Sequence, residues 1–390
     1  MDKNNSSQNS HDIIYANNAA TTWPKPESVL KAVCCASAGP YSEQGRTTLR
    51  EIPDYLFDAR KKLAELFNSK ESEAYVFTAN ATDSLNLLIH GFAAHEQESF
   101  HVITTEFEHN SVIRPLYELQ KAGKITVTVI APDRGGHINP DDVISSCQKN
   151  TKLGIISHAG NVIGTVQNIN EISRILHDEE IFSIIDGAQS AGQIPIDLSR
   201  VCCDAFVFTG HKYLFGIPGT GGFYLKTPEK IHPVRQGGTG FDSSSPTQPD
   251  DMPERFETGT PNFPGIAGLA AGITFIRDIG VETIHSKGMA LISDIVHELH
   301  EIEGVSLLHD APETPLISFQ IAGIKPDDIG YMLAKAFRII TRSGLHCAPW
   351  IHNRLTQGRG AVRVSLSYMN TPNECEQIID GIRAVCASIQ

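Results

Sequence analysis

A chain of 390 residues is long enough for two domains and a sizeable core, and its 41% hydrophobic and 20% charged content is that of an ordinary soluble globular protein. Its 32 Lys+Arg against 45 Asp+Glu leave a formal charge of −13, which disfavours nucleic acid and anionic membranes as partners. No apolar run approaches the roughly 20 residues of a membrane span. The polar start MDKNNSSQNSHD lacks the apolar core of a secretion signal, so a cytoplasmic protein is expected.

Residues 1–12 read as a disordered N-terminus. Ile13, Ile14 and Tyr15 then lead into a small-residue segment, 16–22, that is either a linker or an arm packed over a binding site. From Glu73 onward strands and helices alternate. A strand at 75–77 precedes a helix with Leu85, Leu88, Ile89 and Phe92 on one face. Thr82 takes the N-cap position of that helix, with Asp83 in its first turn. Helix N-termini can bind phosphate through free N–H groups, although most threonine caps serve only the helix. Strands follow at 101–104, 125–130, 153–157, 181–185 and 205–208. Helices are expected from 110 through Leu119, at 140–147 and at 169–176. This order argues for a largely parallel sheet covered by helices on both faces. A turn at 219–222 and a strand at 223–225 come next, then a loop-like stretch, 237–260, rich in Ser, Pro, Asp and Gly. Helices to about 279 and over 282–301 lead into a C-terminal run. That run reads strand 315–321, helix 327–337, strands 338–342 and 361–367, and helix 373–388, with a mixed or antiparallel sheet. The chain is therefore expected as a large domain with its N-terminal arm, 13–264, and a smaller α+β domain, 265–390.

Two strands of the large domain end in chemistry. The run 205–208 stops at Thr209-Gly210 and presents His211 and Lys212. A lysine just past a core strand is poorly hydrated, which favours a neutral amine able to form an imine. The run 181–185 ends in Asp186-Gly187, with Gln189 three residues on. Ligands of open α/β sheets sit beyond the carboxyl ends of the strands. An amine, a candidate phosphate binder and a carboxylate in one crevice make the set that pyridoxal phosphate needs. The carboxylate keeps the ring nitrogen protonated so that the ring draws in electrons.

Other patterns lead nowhere. There is no P-loop, no GxSxG elbow, and His297-Glu298-Leu299-His300 lacks the HExxH spacing. The 16 histidines are scattered, so no metal site is expected. None of the eight cysteines forms a CxxC pair, and most are expected to be buried, reduced thiols. Cys347 differs, because it follows a strand, a glycine turn and His346. A cysteine on a short loop near cations is either a buried thiol or a nucleophile of lowered pKa. Arg363, within the apolar string AVRVSLS, must find an anion; a substrate carboxylate and a structural salt bridge both answer.

Together these stretches resemble the class V aminotransferase family of fold-type I pyridoxal phosphate enzymes, and within it the group II cysteine desulfurases and selenocysteine lyases. The resemblance runs from about Ile13 nearly to the end. It implies a large domain with a mostly parallel, seven-stranded type of sheet between helices, plus a small α+β domain. Lys212 in TGHK corresponds to the Schiff-base lysine, and Asp186 and Gln189 in DGAQ to the residues on the ring nitrogen and phenolic oxygen. His109 in EFEHN would stack on the ring, and Asn161 in HAGNVIGT would contact ring or substrate. Thr82, Thr209 and His211 would bind the phosphate, and Thr260 in ETGTPN would reach a dimer partner's phosphate. Arg363 would hold the substrate carboxylate, and Cys347 in RSGLHCA would receive sulfur. Ala81, Asn110 and Leu345 depart from the family's usual residues.

The resemblance implies a homodimeric cysteine desulfurase that turns L-cysteine into L-alanine and leaves a persulfide on Cys347, from which an acceptor protein or thiol collects the sulfur. A selenocysteine lyase, or another class V enzyme acting on a different amino acid, is the enzymatic alternative. A silent sulfur-carrier scaffold is the non-enzymatic one.

Overall fold

Phe182–Asp186 and Ala205–Thr209 are buried at every residue, as continuous apolar strands covered on both faces must be. They pair in parallel, with Ile184 opposite Ala205 and Asp186 opposite Val207. The computed structural model describes residues 13–41, 52–241 and 244–388, so the disorder expected of residues 1–12 lies outside them. Seven strands form the sheet around this pair, in the order Tyr75–Thr78, Gly221–Leu225, Ala205–Thr209, Phe182–Asp186, Thr151–Ser157, Phe100–Thr105, Ile125–Ile130. Gly221–Leu225 is antiparallel to both its neighbours, and the remaining pairs are parallel. The carboxyl ends of the other six strands therefore share one edge.

Helices between the strands form where capping and apolar spacing agree. Ile169–Asp178 begins at Asn168, whose side chain accepts from the Glu171 N–H, and buries Ile169, Ile172 and Leu176. The sheet core includes Val76, Leu88, Phe92, Ile155, Ile184 and Val207. Each such side chain stabilises the fold by roughly 2 kcal/mol. Two helices that apolar spacing did not single out, Glu27–Ala38 and Tyr55–Leu66, pack on Phe263–Ile279.

The chain divides into two units, and the division departs from the sequence expectation. One unit holds 25–159 and 166–282; the other holds 13–24, 160–165 and 283–388. The arm joins the C-terminal unit because Ile14–Tyr15 pairs in parallel with Ile339–Ile340. Residues 160–165 join it as well: the Gly164 carbonyl accepts from the Glu313 N–H at 2.9 Å and the Val162 carbonyl from Ser318 Oγ at 2.6 Å. The boundary expected at 264 moves to 282 because Phe263–Ile279 lies in the sheet unit.

The C-terminal unit carries an antiparallel sheet ordered Arg342–Gly344, Ala361–Ser365, Leu316–Ile321, Val305–Leu307. Ile292, Phe319, Val364, Ile378 and Ile382 fill its core. The single strand expected over 338–342 is two short ones. Arg338 takes a left-handed turn at φ 57° to end the helix Pro326–Phe337, and Ile339–Ile340 and Arg342–Gly344 then pair with different strands. Pro372–Ala387 starts in a capping box between Thr371 and Glu374. Among the described residues, no single helix is long and apolar enough to cross a membrane.

Candidate active site

In the sheet unit, strand ends collect the expected residues. Asp186 and Thr209 are the last residues of adjacent parallel strands, and His211 and Lys212 follow Thr209 after Gly210. Asp186 Oδ1 accepts the Ala188 N–H at 2.9 Å. Burial raises the Asp186 pKa, while that N–H and the positive charge of Lys212 pull it back down. Acid and amine are thus within electrostatic reach. Gln189 is buried, and its backbone carbonyl accepts from Gln193 Nε2. His211 is pushed down to about 4 by burial and by the charges of Lys212 and Lys25, so it stays neutral.

Phe100–Thr105 and Tyr75–Thr78 end at the same edge. His109 caps the helix Asn110–Lys121, its Nδ1 accepting from the Ser111 N–H at 3.1 Å. That bond places the ring proton on Nε2. Thr82 is not the cap that its sequence position suggested. Asn80 caps Ala81–His95, its Oδ1 accepting from the Asp83 N–H at 3.0 Å, and Thr82 is an exposed residue of the first turn. Asparagine and threonine cap almost equally well, and the strand end at Thr78 settles the register. The first N–H groups of a helix have no carbonyl within it, so this turn still offers donors to an anion.

Thr209 supplies a test of whether these residues fit pyridoxal phosphate. Its Oγ1 is buried with no hydrogen-bond partner among the described residues. A buried hydroxyl without a partner costs free energy that a phosphate oxygen would recover. With the buried acid of Asp186, the imidazole of His109 and the amine of Lys212 also in the sheet unit, the donor set has the kinds of group that the cofactor requires. Thr260 is exposed and lines a cavity of about 260 Å³ with Thr78, Ala79, Asp83, Gly219 and Arg235.

In the C-terminal unit, Arg363 is 2% exposed within Ala361–Ser365. Its Nη1 donates to the Asn161 carbonyl at 2.7 Å and its Nη2 to Asn17 Oδ1 at 3.4 Å, both neutral oxygens. Asn161 Nδ2 donates to the His346 carbonyl at 2.7 Å. Cys347 is half-buried, with Arg342 Nη2 at 3.9 Å from its Sγ. Expecting most cysteines to be buried was wrong: Cys34 and Cys35 are exposed, and Cys203, Cys375 and Cys386 are the buried ones. A free thiol usually packs as a small apolar group, but Cys34 and Cys35 lie away from the buried face of Glu27–Ala38, which is made by Val29 and Ala36.

Two residues of the sheet unit carry no clear signal in the sequence. Lys25 Nζ donates to the His211 carbonyl at 2.7 Å, and burial lowers its pKa to about 7. Its one signal was its place between Pro24 and Pro26, which stiffen the backbone around it. Glu108 is wholly buried, with Oε1 accepting from Thr105 Oγ1 at 2.7 Å and the Ser157 N–H at 3.0 Å, and Oε2 from Ser157 Oγ at 2.9 Å. Burial pushes it up to about 8, helped by the charge of Asp186. A charged residue in EFEHN gives no sign that it faces inward.

This fold and these strand ends define a fold-type I pyridoxal phosphate enzyme, and the chain belongs to the aminotransferase class-V family, whose family model matches residues 14–378. It is 32% identical over 380 residues to a probable cysteine desulfurase of Methanothermobacter thermautotrophicus, covering 94% of this chain and 92% of that protein. It is 31% identical to a probable cysteine desulfurase of Halalkalibacterium halodurans, with coverage of 96% and 93%. The apo structure of the cysteine desulfurase from Thermococcus onnurineus superposes with a TM-score of 0.90 at 28% identity, over 97% of this chain and 96% of that one.

Proposed function

We infer that the chain is a pyridoxal-phosphate-dependent cysteine desulfurase, converting L-cysteine to L-alanine and passing the sulfur to its own Cys347. Asp186 and Lys212 carry this reading: a buried acid and an amine at the ends of adjacent parallel strands, within reach of each other's charge. The cofactor supplies an aldehyde for the substrate amine and a ring that takes up the electrons left when the Cα–H bond breaks. Asp186 holds the proton on the ring nitrogen, His109 faces the ring, and Thr209, His211 and the first turn around Thr82 hold the phosphate. Lys212, once free, accepts the Cα proton on Nζ. Arg363 binds the substrate carboxylate and Asn161 orients its polar groups.

The Cys347 thiolate then attacks the substrate sulfur. The new S–S bond forms as the substrate Cβ–S bond breaks, the electron pair goes to Cβ and protonation there makes the methyl group, and Lys212 Nζ returns the proton it took to Cα, which completes alanine. Cys347 keeps a persulfide. Its loop is short, running from Gly344 at the end of one strand to Pro349 at the start of a helix. A loop of that length carries sulfur inward rather than outward, so an acceptor protein or thiol comes to the enzyme. We assign the chain to the cytoplasm, as a homodimer.

Cys347→Ala decides the central role. The variant is expected to keep the cofactor's absorbance while alanine and sulfide release from cysteine fall by roughly three orders of magnitude. Unchanged release would remove Cys347 from the mechanism. Assaying the native enzyme with selenocysteine beside cysteine tests the lyase alternative.

A further inference from the structure

The turn that presents Cys347 has an uncommon backbone. Gly344 lies at φ 97°, which glycine adopts freely, but His346 and Cys347 lie at φ 50° and 59°. Left-handed backbone costs an ordinary residue roughly 1–2 kcal/mol, and it persists where surrounding contacts enforce it. Two such contacts act on the turn's main chain. The Ala348 N–H donates to the Leu345 carbonyl at 2.9 Å, and Asn161 holds the His346 carbonyl.

A third contact runs through side chains. His346 Nε2 lies 3.1 Å from the Arg342 carbonyl, which can only accept, so Nε2 carries the proton. His346 Nδ1 is then bare and must accept. Its partner, at 3.0 Å, is Nε2 of His352, which must therefore be the donor. His352 Nδ1 faces Thr356 Oγ1 at 3.3 Å, while that hydroxyl donates to the His352 carbonyl at 2.7 Å and accepts the Gly360 N–H at 3.1 Å. His352 is fully buried and His346 is 4% exposed. Burial, followed by the charge of Arg363, holds His352 down to about 4 and His346 to about 2, so both rings are neutral at neutral pH and His352 Nε2 donates to His346 Nδ1.

We propose that His352 is a positioning residue: by donating Nε2–H to His346 Nδ1 it braces the left-handed turn between Arg342–Gly344 and Pro349–Thr356 and so aims Cys347 Sγ. It touches neither substrate nor cofactor. The proposal rests on Cys347 being the sulfur-accepting thiol.

Two holoenzyme variants test it. His352→Leu fills a similar volume without a donor, whereas the amide of His352→Gln can still donate. For His352→Leu, kcat for alanine release is expected to fall roughly tenfold, with KM for cysteine held within about threefold. The cofactor absorbance should stay native. Alkylation of Cys347 by iodoacetamide, followed on its own peptide by mass spectrometry, should accelerate about threefold as the turn relaxes. His352→Gln should stay within about threefold of native on both measures. Native behaviour of His352→Leu on both measures overturns the brace, and so does an equal fall in kcat for His352→Gln. The alkylation rate reports on the turn whether or not Cys347 accepts sulfur. Full activity of Cys347→Ala would therefore sink the role of the thiol without deciding that of His352.

Discussion

Glu108 is the residue whose chemistry the reaction scheme leaves idle. Wholly buried, with Asp186 adding a second negative charge, it has its pKa pushed from 4.5 up to about 8. Below about pH 4.5 folded and unfolded chains both hold its proton, and folding is indifferent to it. Between there and pH 8 the unfolded chain loses the proton while the folded one keeps it, so stability declines by up to about 1.4 kcal/mol per pH unit. Glu108→Gln removes that slope. The amide oxygen can accept from Thr105 and the Ser157 N–H, and the amide nitrogen can donate to Ser157 Oγ. In urea unfolding of the apoenzyme, the variant should gain on the native chain as pH rises from 5 to 8. A constant difference across that range would mean that Glu108 is ionised throughout. Lys212 and Asp186 were legible in the sequence because each ends an apolar run with a turn, and that punctuation survives without coordinates. Glu108 and His352 were not, because inward-facing polar residues on a turn and a short helix look like any solvated ones.

At the scale of elements, the central strands Phe182–Asp186 and Ala205–Thr209 were legible because burial on both faces leaves mostly Ile, Val and Phe, and the edge strand Ile125–Ile130 because its residues are all β-branched. Glu27–Ala38 and Tyr55–Leu66 were not, since their buried faces are shallow: Val29 and Ala36 in the first, Leu56, Ala59, Arg60, Leu63 and Ala64 in the second. Arg60 reads as a surface residue, yet it is buried against Glu257 at 2.6 Å, and Glu257 Oε1 accepts from the Phe77 N–H at 2.7 Å. Breaking such a pair costs about 3–5 kcal/mol. The turn that starts Ala81–His95 depends equally on what is missing beneath it. A Cβ on Gly221 would stand 2.6 Å from the Asn80 Cα and 2.7 Å from its carbonyl carbon. Backbone cannot swing aside as a side chain does. Gly221→Ala should therefore push the cap away from the strand, destabilise the fold by about 2 kcal/mol and weaken cofactor affinity about tenfold. Fluorescence titration of the apoenzyme with pyridoxal phosphate measures the second effect. An unchanged affinity would show that the turn around Thr82 does not hold the phosphate.

For the whole molecule, the assignment that one chain cannot complete alone is Thr260. It is exposed on a stretch fixed at Glu257, beside a cavity lined by Thr78, Gly219 and Arg235. The resemblance assigns its hydroxyl to the phosphate of a second copy, and that proposal has a consequence in mixed assemblies. In a heterodimer of a Lys212→Ala chain and a Thr260→Ala chain, one site would take both losses. The other would pair a native Lys212 with the native Thr260 of its neighbour. Co-expressed and separated by distinct tags, such heterodimers should hold half their cofactor at native affinity, while Thr260→Ala homodimers bind uniformly about tenfold more weakly, the loss of a charge-assisted hydrogen bond. Were Thr260 to serve its own chain's phosphate, the site with native Lys212 would be weakened in the heterodimer exactly as in the Thr260→Ala homodimer. Half-native binding is available only if the hydroxyl crosses between copies, so the titration separates the two arrangements without reference to turnover.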